Sequence, residues 1–342
     1  MPRMPALSSS PWGQSYHRYL FIIVSLVQGI VVISLEGLIF AYIRNLTPIK
    51  EAATNKHLGE NTTATSFFNY GQSMLIYLIL FMFSQVFQVI LSWESIYFQN
   101  TLQILGILLF NFMTFVYSIF QYNQLNRLFE VDRDIFLPII AIVTRCIAVV
   151  AGFIGVSQLC LMYLGYKLYQ EFGWSIYRII GSDLQMRRML LIYHSFLMVL
   201  KFDFFFFIGF ISQFLFLVAK KDFEYDLTII SVPIILVILW LGVYGVKREN
   251  KYLLGLNLIG FFLGALYFCF KIYRLWVLEK YKEFRYFLTL FAFLSLVFLI
   301  FSNILGWICL HQFGQGLDRY ITSQHVREQE KVNQDPIDLG NE

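Results

Sequence analysis

Read from its amino terminus, the chain alternates long apolar runs with short polar ones. The apolar runs occupy 19–43, 72–92, 100–120, 136–164, 189–218, 228–246, 253–273 and 286–310. Each meets or approaches the roughly 20 residues with which an α-helix crosses the hydrocarbon core of a bilayer. Apolar residues run all round each stretch with no strand-like alternation, which excludes a transmembrane barrel. The pattern predicts an all-α fold, a polytopic transmembrane helical bundle of about eight spans with seven as the alternative count.

The polar stretches between the runs define the remaining organisation. Residues 1–18 are polar and carry Pro2, Pro5 and Pro11, so a disordered amino terminus is expected. The run that follows is too long for a cleavable signal h-region and reads as a retained anchor. The longest polar loop, Arg44 to Gly71, holds Asn45-Leu-Thr47 and Asn61-Thr-Thr63. Both fit the N-glycosylation acceptor pattern, predict a glycoprotein, and place this loop in the lumen, with Asn61 the better placed of the two. Lys and Arg divide evenly between the two sides, so the positive-inside rule adds no direction and the sequons set a cytosolic amino terminus. With eight spans the tail, 311–342, is then cytosolic, and its polar composition predicts disorder. Near 166–188, Phe172, Trp174, Tyr177 and Ile180 recur at three- to four-residue spacing, which predicts an amphipathic helix lying in the cytosolic interface beside Arg187 and Arg188.

Composition sharpens the class. With 58% hydrophobic and 14% charged residues, the chain belongs in a lipid bilayer and not among soluble domains. Its net charge of +4 is spread over the connecting segments, which removes nucleic acid as a partner. Cys146, Cys160, Cys269 and Cys309 all fall inside apolar runs without CxxC spacing, so they read as small hydrophobes packed between helices, and no metal or cofactor is expected. No GxSxG elbow, HExxH, P-loop or GxGxxG is present, and the expectation is a protein that is not an enzyme. His194 reads as a core or interface residue.

Glu36, Arg145, Lys201 and Asp203 interrupt the apolar runs. A charge at bilayer depth is costly unless paired or hydrated, so these four are the candidate functional or structural residues. Lys201 and Asp203 are two apart on one helix and point away from each other, so each needs a partner elsewhere. The pairings considered are Arg145 with Asp203 or Glu36, and Lys201 with Glu36. Helix 189–218 is expected to run unbroken through both charges, with Asp203 facing the bundle. Gln85 and Gln88 share one helix face, while Gln28, Gln103, Asn111, Gln158, Gln213, Asn257 and Asn303 are scattered over other runs; interhelical hydrogen bonds or a solute lining account for such amides. Ala148 with Gly152, Ala151 with Gly155, and Gly260 with Gly264 have the spacing that lets helices approach closely. No internal repeat is visible.

The stretch Glu171-Phe-Gly-Trp174-Ser-Ile-Tyr177, Gly181-Ser-Asp183, Leu200-Lys-Phe-Asp-Phe-Phe-Phe-Phe207 and Gly209-Phe-Ile-Ser-Gln213 resembles a fungal family of multi-pass Golgi apparatus membrane proteins. The block LKFDFFFF is its specific part, and Ser182 stands where that family usually has alanine. The resemblance implies a Golgi address and a multi-pass body, and it brings no catalytic residues. Phe204 to Phe207 place rings all round one helical turn, so some are expected to meet lipid or a neighbouring protein. The expected function is a non-enzymatic role in trafficking or membrane organisation through membrane-protein or cytosolic partners, and the alternative is proton-coupled or other transport of a small solute, ion or proton by way of the intramembrane charges.

Overall fold

The structure is a computed structural model and describes residues 16–57, 62–129, 133–180, 184–217, 223–279 and 285–314. The apolar runs fold as α1 (Tyr16–His57), α2 (Thr62–Tyr97), α3 (Thr101–Phe129), α4 (Arg133–Ile180), α5 (Leu184–Leu217), α6 (Phe223–Lys247), α7 (Lys251–Val277) and α8 (Arg285–Gln312). All eight are long and apolar enough to cross a membrane. Only helices and closed barrels satisfy every backbone group inside lipid, so the periodicity and the architecture follow from one constraint.

Two boundaries differ from the sequence reading. Helix α1 continues to His57 and α2 begins at Thr62, so most of the polar stretch from Arg44 to Gly71 is helical. Adding residues to a helix already nucleated in the apolar run costs far less than starting a new one. Asn45 is exposed near the end of the span of α1, while Asn61 lies outside the described residues. Likewise α4 runs on without a break to Ile180, so the segment near 166–188 begins as the end of a membrane helix and not as a separate interfacial one. Helix α5 passes unbroken through Lys201 and Asp203, as expected.

The helices pack as two rings of four. In the first ring α1 touches α2 and α4, and α3 touches the same two; in the second, α5 touches α6 and α8, and α7 touches the same two. The equivalent turns match in detail. Gln99 and Glu249 both have positive φ, 49° and 47°. The next residue, Asn100 or Asn250, donates its backbone N–H to Ser95 or Gly245, at 3.0 Å and 2.9 Å, closing a Schellman-type end. Each asparagine then caps the following helix, Asn100 Oδ1 accepting from Leu102 and Gln103 and Asn250 Oδ1 from Tyr252 and Leu253. A repeat of architecture is therefore present where the sequence displays none.

Helix α5 joins the rings, because it also packs against α2 and α3. This corrects the expectation for its aromatic block: none of Phe204 to Phe207 is exposed. Phe205 stacks on Phe87 at 4.9 Å and Phe83 at 5.7 Å, Phe206 stacks on Phe298 at 4.9 Å, and Phe207 stacks on Phe268 at 5.5 Å. A helix with neighbours on every side has no lipid face to spare, so rings all round its axis are core. Gly209 completes the fit, since a Cβ there would fall 2.7 Å from Phe291 Cε1.

The small-residue pairs divide. A Cβ on Gly260 would meet Ile238 at 2.9 Å and one on Gly155 would meet Phe115 at 3.0 Å, so both serve packing within the chain. Gly152 faces open space, and Ala148 is exposed. Of the cysteines only Cys309 is buried; Cys160 and Cys269 are exposed on the outer surface, which corrects the expectation of four packed thiols.

Candidate functional site

The four intramembrane charges do not meet. Lys201 pairs with Glu94 of α2 at 2.7 Å, and not with Glu36. Its ammonium also donates to Gln103 Oε1 at 3.1 Å, and Gln103 Nε2 in turn donates to Glu94 Oε2 at 3.1 Å. The three side chains form a closed triangle across α2, α3 and α5. Asn100 Nδ2 sits 3.3 Å from His194 Nδ1 on the same side, so α5 is tied to the α2–α3 turn about two turns before Lys201 along that helix.

Asp203 faces the bundle and is fully buried, but its partner is Ser302 of α8, whose hydroxyl donates to Oδ2. Arg145 lies exposed on the outer face of α4 and reaches neither Asp203 nor Glu36. It stands four residues inside the span beginning at Ala141, from which a long guanidinium side chain can extend toward the headgroups. Glu36 is fully buried and accepts from Gln121 Nε2 of α3 at 2.9 Å.

Glu36 belongs to a larger arrangement. Among the buried polar residues, Gln85, Gln88, Ser92 and Ser95 form a stripe on α2 and Asn111, Thr114, Ser118 and Gln121 one on α3, with Ser25, Gln28 and Glu36 on α1; Arg18, Ser84, Thr101 and Gln103 are buried outside these stripes. In α2 and α3 the steps are three, four, three, which keeps a stripe on one helix face. All of these stripes face the interior of the first ring, while Ile23, Val27, Ile30, Val86, Ile90 and Leu109 face outward. The first ring thus carries polar stripes among its buried apolar side chains and an apolar outer face.

Hydrogen bonds link the stripes. Gln28 Nε2 donates to Gln85 Oε1 at 3.0 Å and to Asn111 Oδ1 at 2.7 Å; Asn111 Nδ2 donates to Gln158 Oε1 at 2.8 Å; Gln158 Nε2 donates to the Leu108 carbonyl at 3.2 Å. Four helices therefore meet on one amide chain. From the α2–α3 turn the file runs through Gln103 and Glu94, then Ser92 and Gln88, then the amide chain, and ends at Ser118, Gln121 and Glu36. Several buried atoms along it have no hydrogen-bond partner: Ser25 Oγ, Gln28 Oε1, Gln85 Nε2, both amide atoms of Gln88, Glu36 Oε1 and Gln121 Oε1. Most buried polar atoms in proteins are paired, so a run of unpaired ones along one interior is a functional signal.

Several members escaped the sequence reading: the hydroxyls of Ser25, Ser92, Ser95, Thr114 and Ser118, and Glu94 and Gln121, which each lie just beyond a span that ended at 92 or 120 on helices that run further. The heptad-like polar spacing in α2 and α3 is the signal that reveals Gln121 and the hydroxyls of those helices; Glu94 lies off that stripe. Among the described residues no three His, Cys, Asp or Glu side chains gather as metal ligands.

Eight apolar helices around buried interhelical polar contacts define a multi-pass integral membrane protein. The chain is 30% identical over 293 residues, 77% of its own length and 83% of the relative's, to a UPF0658 Golgi apparatus membrane protein of Schizosaccharomyces pombe. It belongs to that family, a fungal family of multi-pass proteins of the Golgi apparatus membrane. No family model matches the chain, and no solved structure matches it.

Proposed function

We propose that this Golgi membrane protein is a non-enzymatic transport protein whose first helix ring, α1–α4, carries a small polar solute, an ion or a proton along its polar interior. The observation behind this reading is the set of buried amides, hydroxyls and one carboxylate linked across α1–α4, with partnerless atoms among them on α1, α2 and α3. A network serving only to fasten helices gains most when each member is satisfied, and a half-satisfied one is worse than an apolar core. Groups that exchange partners with a passing solute or with water must keep donors and acceptors uncommitted. The charges enter differently from the sequence expectation: Lys201 pairs with Glu94, Asp203 is held on one oxygen by Ser302 in the second ring with its Oδ1 unpartnered, and Glu36 is the one of the four that belongs to the interior of the first ring.

The test is reconstitution of the full chain in liposomes with an imposed pH gradient and a panel of monovalent cations and small polar solutes. The expected result is flux of at least one species, reduced tenfold or more in Gln85→Leu combined with Gln88→Leu. A panel without flux, combined with unchanged Golgi lumenal pH in cells lacking the protein, overturns the reading.

The second reading is membrane organisation or trafficking through protein partners. It is favoured by the clamps that bind α5 to the first ring, Lys201 to Glu94 and Asn100 to His194, because they make the two rings one body. Proximity labelling from the carboxyl-terminal tail that recovers coat, tether or cargo proteins supports it, and recovery of none counts against it.

A further inference from the structure

Glu36 and Gln121 form an incomplete pair of a recognisable kind. Gln121 Nε2 donates to Glu36 Oε2 at 2.9 Å, while the remaining oxygen of each side chain, Glu36 Oε1 and Gln121 Oε1, is buried without a hydrogen-bond partner. Both side chains are buried, Glu36 with no exposure at all. With the carboxylate ionised, the remaining oxygen of each side chain is an acceptor and neither has a donor. A carboxylic acid and an amide close the pair: the acid O–H donates to the amide carbonyl while the amide N–H donates to the acid carbonyl. One proton on Glu36 Oε1 supplies the missing donor and removes a charge from the bilayer interior at the same time.

We propose that Glu36 is a proton-binding site of the membrane domain, occupied by one proton and closed as a cyclic acid–amide pair with Gln121. Among the described residues no basic side chain pairs with Glu36. The apolar clusters at the level of Glu36 on the first ring hold Val32, Leu35, Ile39 and Phe40 on α1, Leu78 and Phe81 on α2, and Ile147 and Val150 on α4. The titratable or charged groups on the turns packed about it are Tyr77 on α2, Tyr117 on α3, and Arg145 and Cys146 on α4. Arg145 is exposed on the outer face of α4, and Tyr117 lies against Phe81 at 5.2 Å. The proton is the smallest species that satisfies both orphan oxygens in a space already lined by apolar side chains.

The assignment names the occupant of the polar file and rests on the transport reading only for its role: release of this proton frees two acceptors at one end of the file, which couples solute passage to pH. The experiment uses the full-length protein in nanodiscs and liposomes. Infrared difference spectroscopy of wild type against Glu36→Gln is expected to show the carbonyl stretch of a protonated carboxyl in the wild type only. Dicyclohexylcarbodiimide, which adds the acid O–H of a protonated carboxyl across its C=N bond, is expected to modify the Glu36 peptide, and neither sodium nor potassium is expected to protect it. Glu36→Gln, whose amide can make the same two hydrogen bonds to Gln121, is expected to keep the wild-type unfolding temperature, whereas Glu36→Ala lowers it. A missing carboxyl band at neutral pH, or protection by an alkali cation, overturns the proton site. If the band and the labelling are present and no flux in liposomes responds to pH, the site stands and the transport reading falls.

Discussion

The two helix rings share an order of neighbours and a turn, yet their buried polar groups are joined differently. In α1–α4 the amides are linked across four helices, Gln28 to Gln85 and Asn111, and Asn111 to Gln158, whereas in α5–α8 Asp203, Gln213, Asn257, Lys271 and Ser302 are buried among Phe196, Phe207, Phe210, Phe214, Phe261 and Phe268, and among the described residues no amide there bonds another amide. Between them, the aromatic seam of Phe83, Phe87, Phe110, Phe202 and Phe205 is closed by stacked and edge-on rings. Where two repeats form a transporter, the substrate site commonly lies at their interface near the midplane. Here that interface is the aromatic seam with the Lys201–Glu94–Gln103 triangle beside it, and the linked amides lie inside one unit. The difference teaches that one arrangement of helices accommodates two kinds of interior, one with its amides linked across four helices and one with its buried polar groups set singly among aromatic rings.

The comparison breaks most severely at the seam. Phe205→Ala removes a buried ring that touches Phe83, Phe87 and Phe110, and we expect a loss of about 3–5 kcal/mol, read as a collapse of the unfolding temperature in detergent. A mild effect would mean that the rings are only loosely joined. Next in size is the clamp on α5. Glu94→Ala and Lys201→Ala each strand a charge at membrane depth and are expected to cost about 2 kcal/mol, while the double variant costs less than either single change. Additive damage in the double variant would show that the 2.7 Å pair contributes nothing as a pair. By the same logic Arg145→Ala is expected to leave the effect of Asp203→Ala unchanged, because Asp203 is held by Ser302.

Gln88 and Gln213 offer a matched contrast, one in each ring, both buried and both with neither amide atom bonded. Leucine at either position removes unpaired buried polar atoms, so thermal stability should rise by about 1–2 kcal/mol in both variants. Only Gln88→Leu should reduce flux in liposomes; equal loss in both would erase the division between the rings. The smallest effect is expected at Asn61, where glycosidase treatment should shift the mobility of the wild type and leave Asn61→Gln unshifted, with stability unaltered. Protease access to this segment from the cytosol would invert the orientation of both rings.

The membrane class and the span count were legible in the sequence, because a helix that crosses lipid must be apolar for a fixed length and that length can be read along the chain. The unbroken course of α5 was legible for the same reason, since neither half of it is long enough alone. The partners of the charges were not. Lys201 and Glu94 are separated by more than the whole of α3 and α4, and nothing local decides which of several helices a lysine will face. The aromatic block of α5 shows the limit plainly: rings all round a helix are compatible with lipid or with a central position, and only the packing of α2, α3, α6 and α8 around it decided for the core. The polar stripes of α2 and α3 lay within reach of the sequence by their spacing, but whether a stripe faces a partner helix, water or a pore depends on where the other stripes point. Hydropathy is a property of each residue and is written along the chain; direction is a property of pairs of helices and exists only once they are packed.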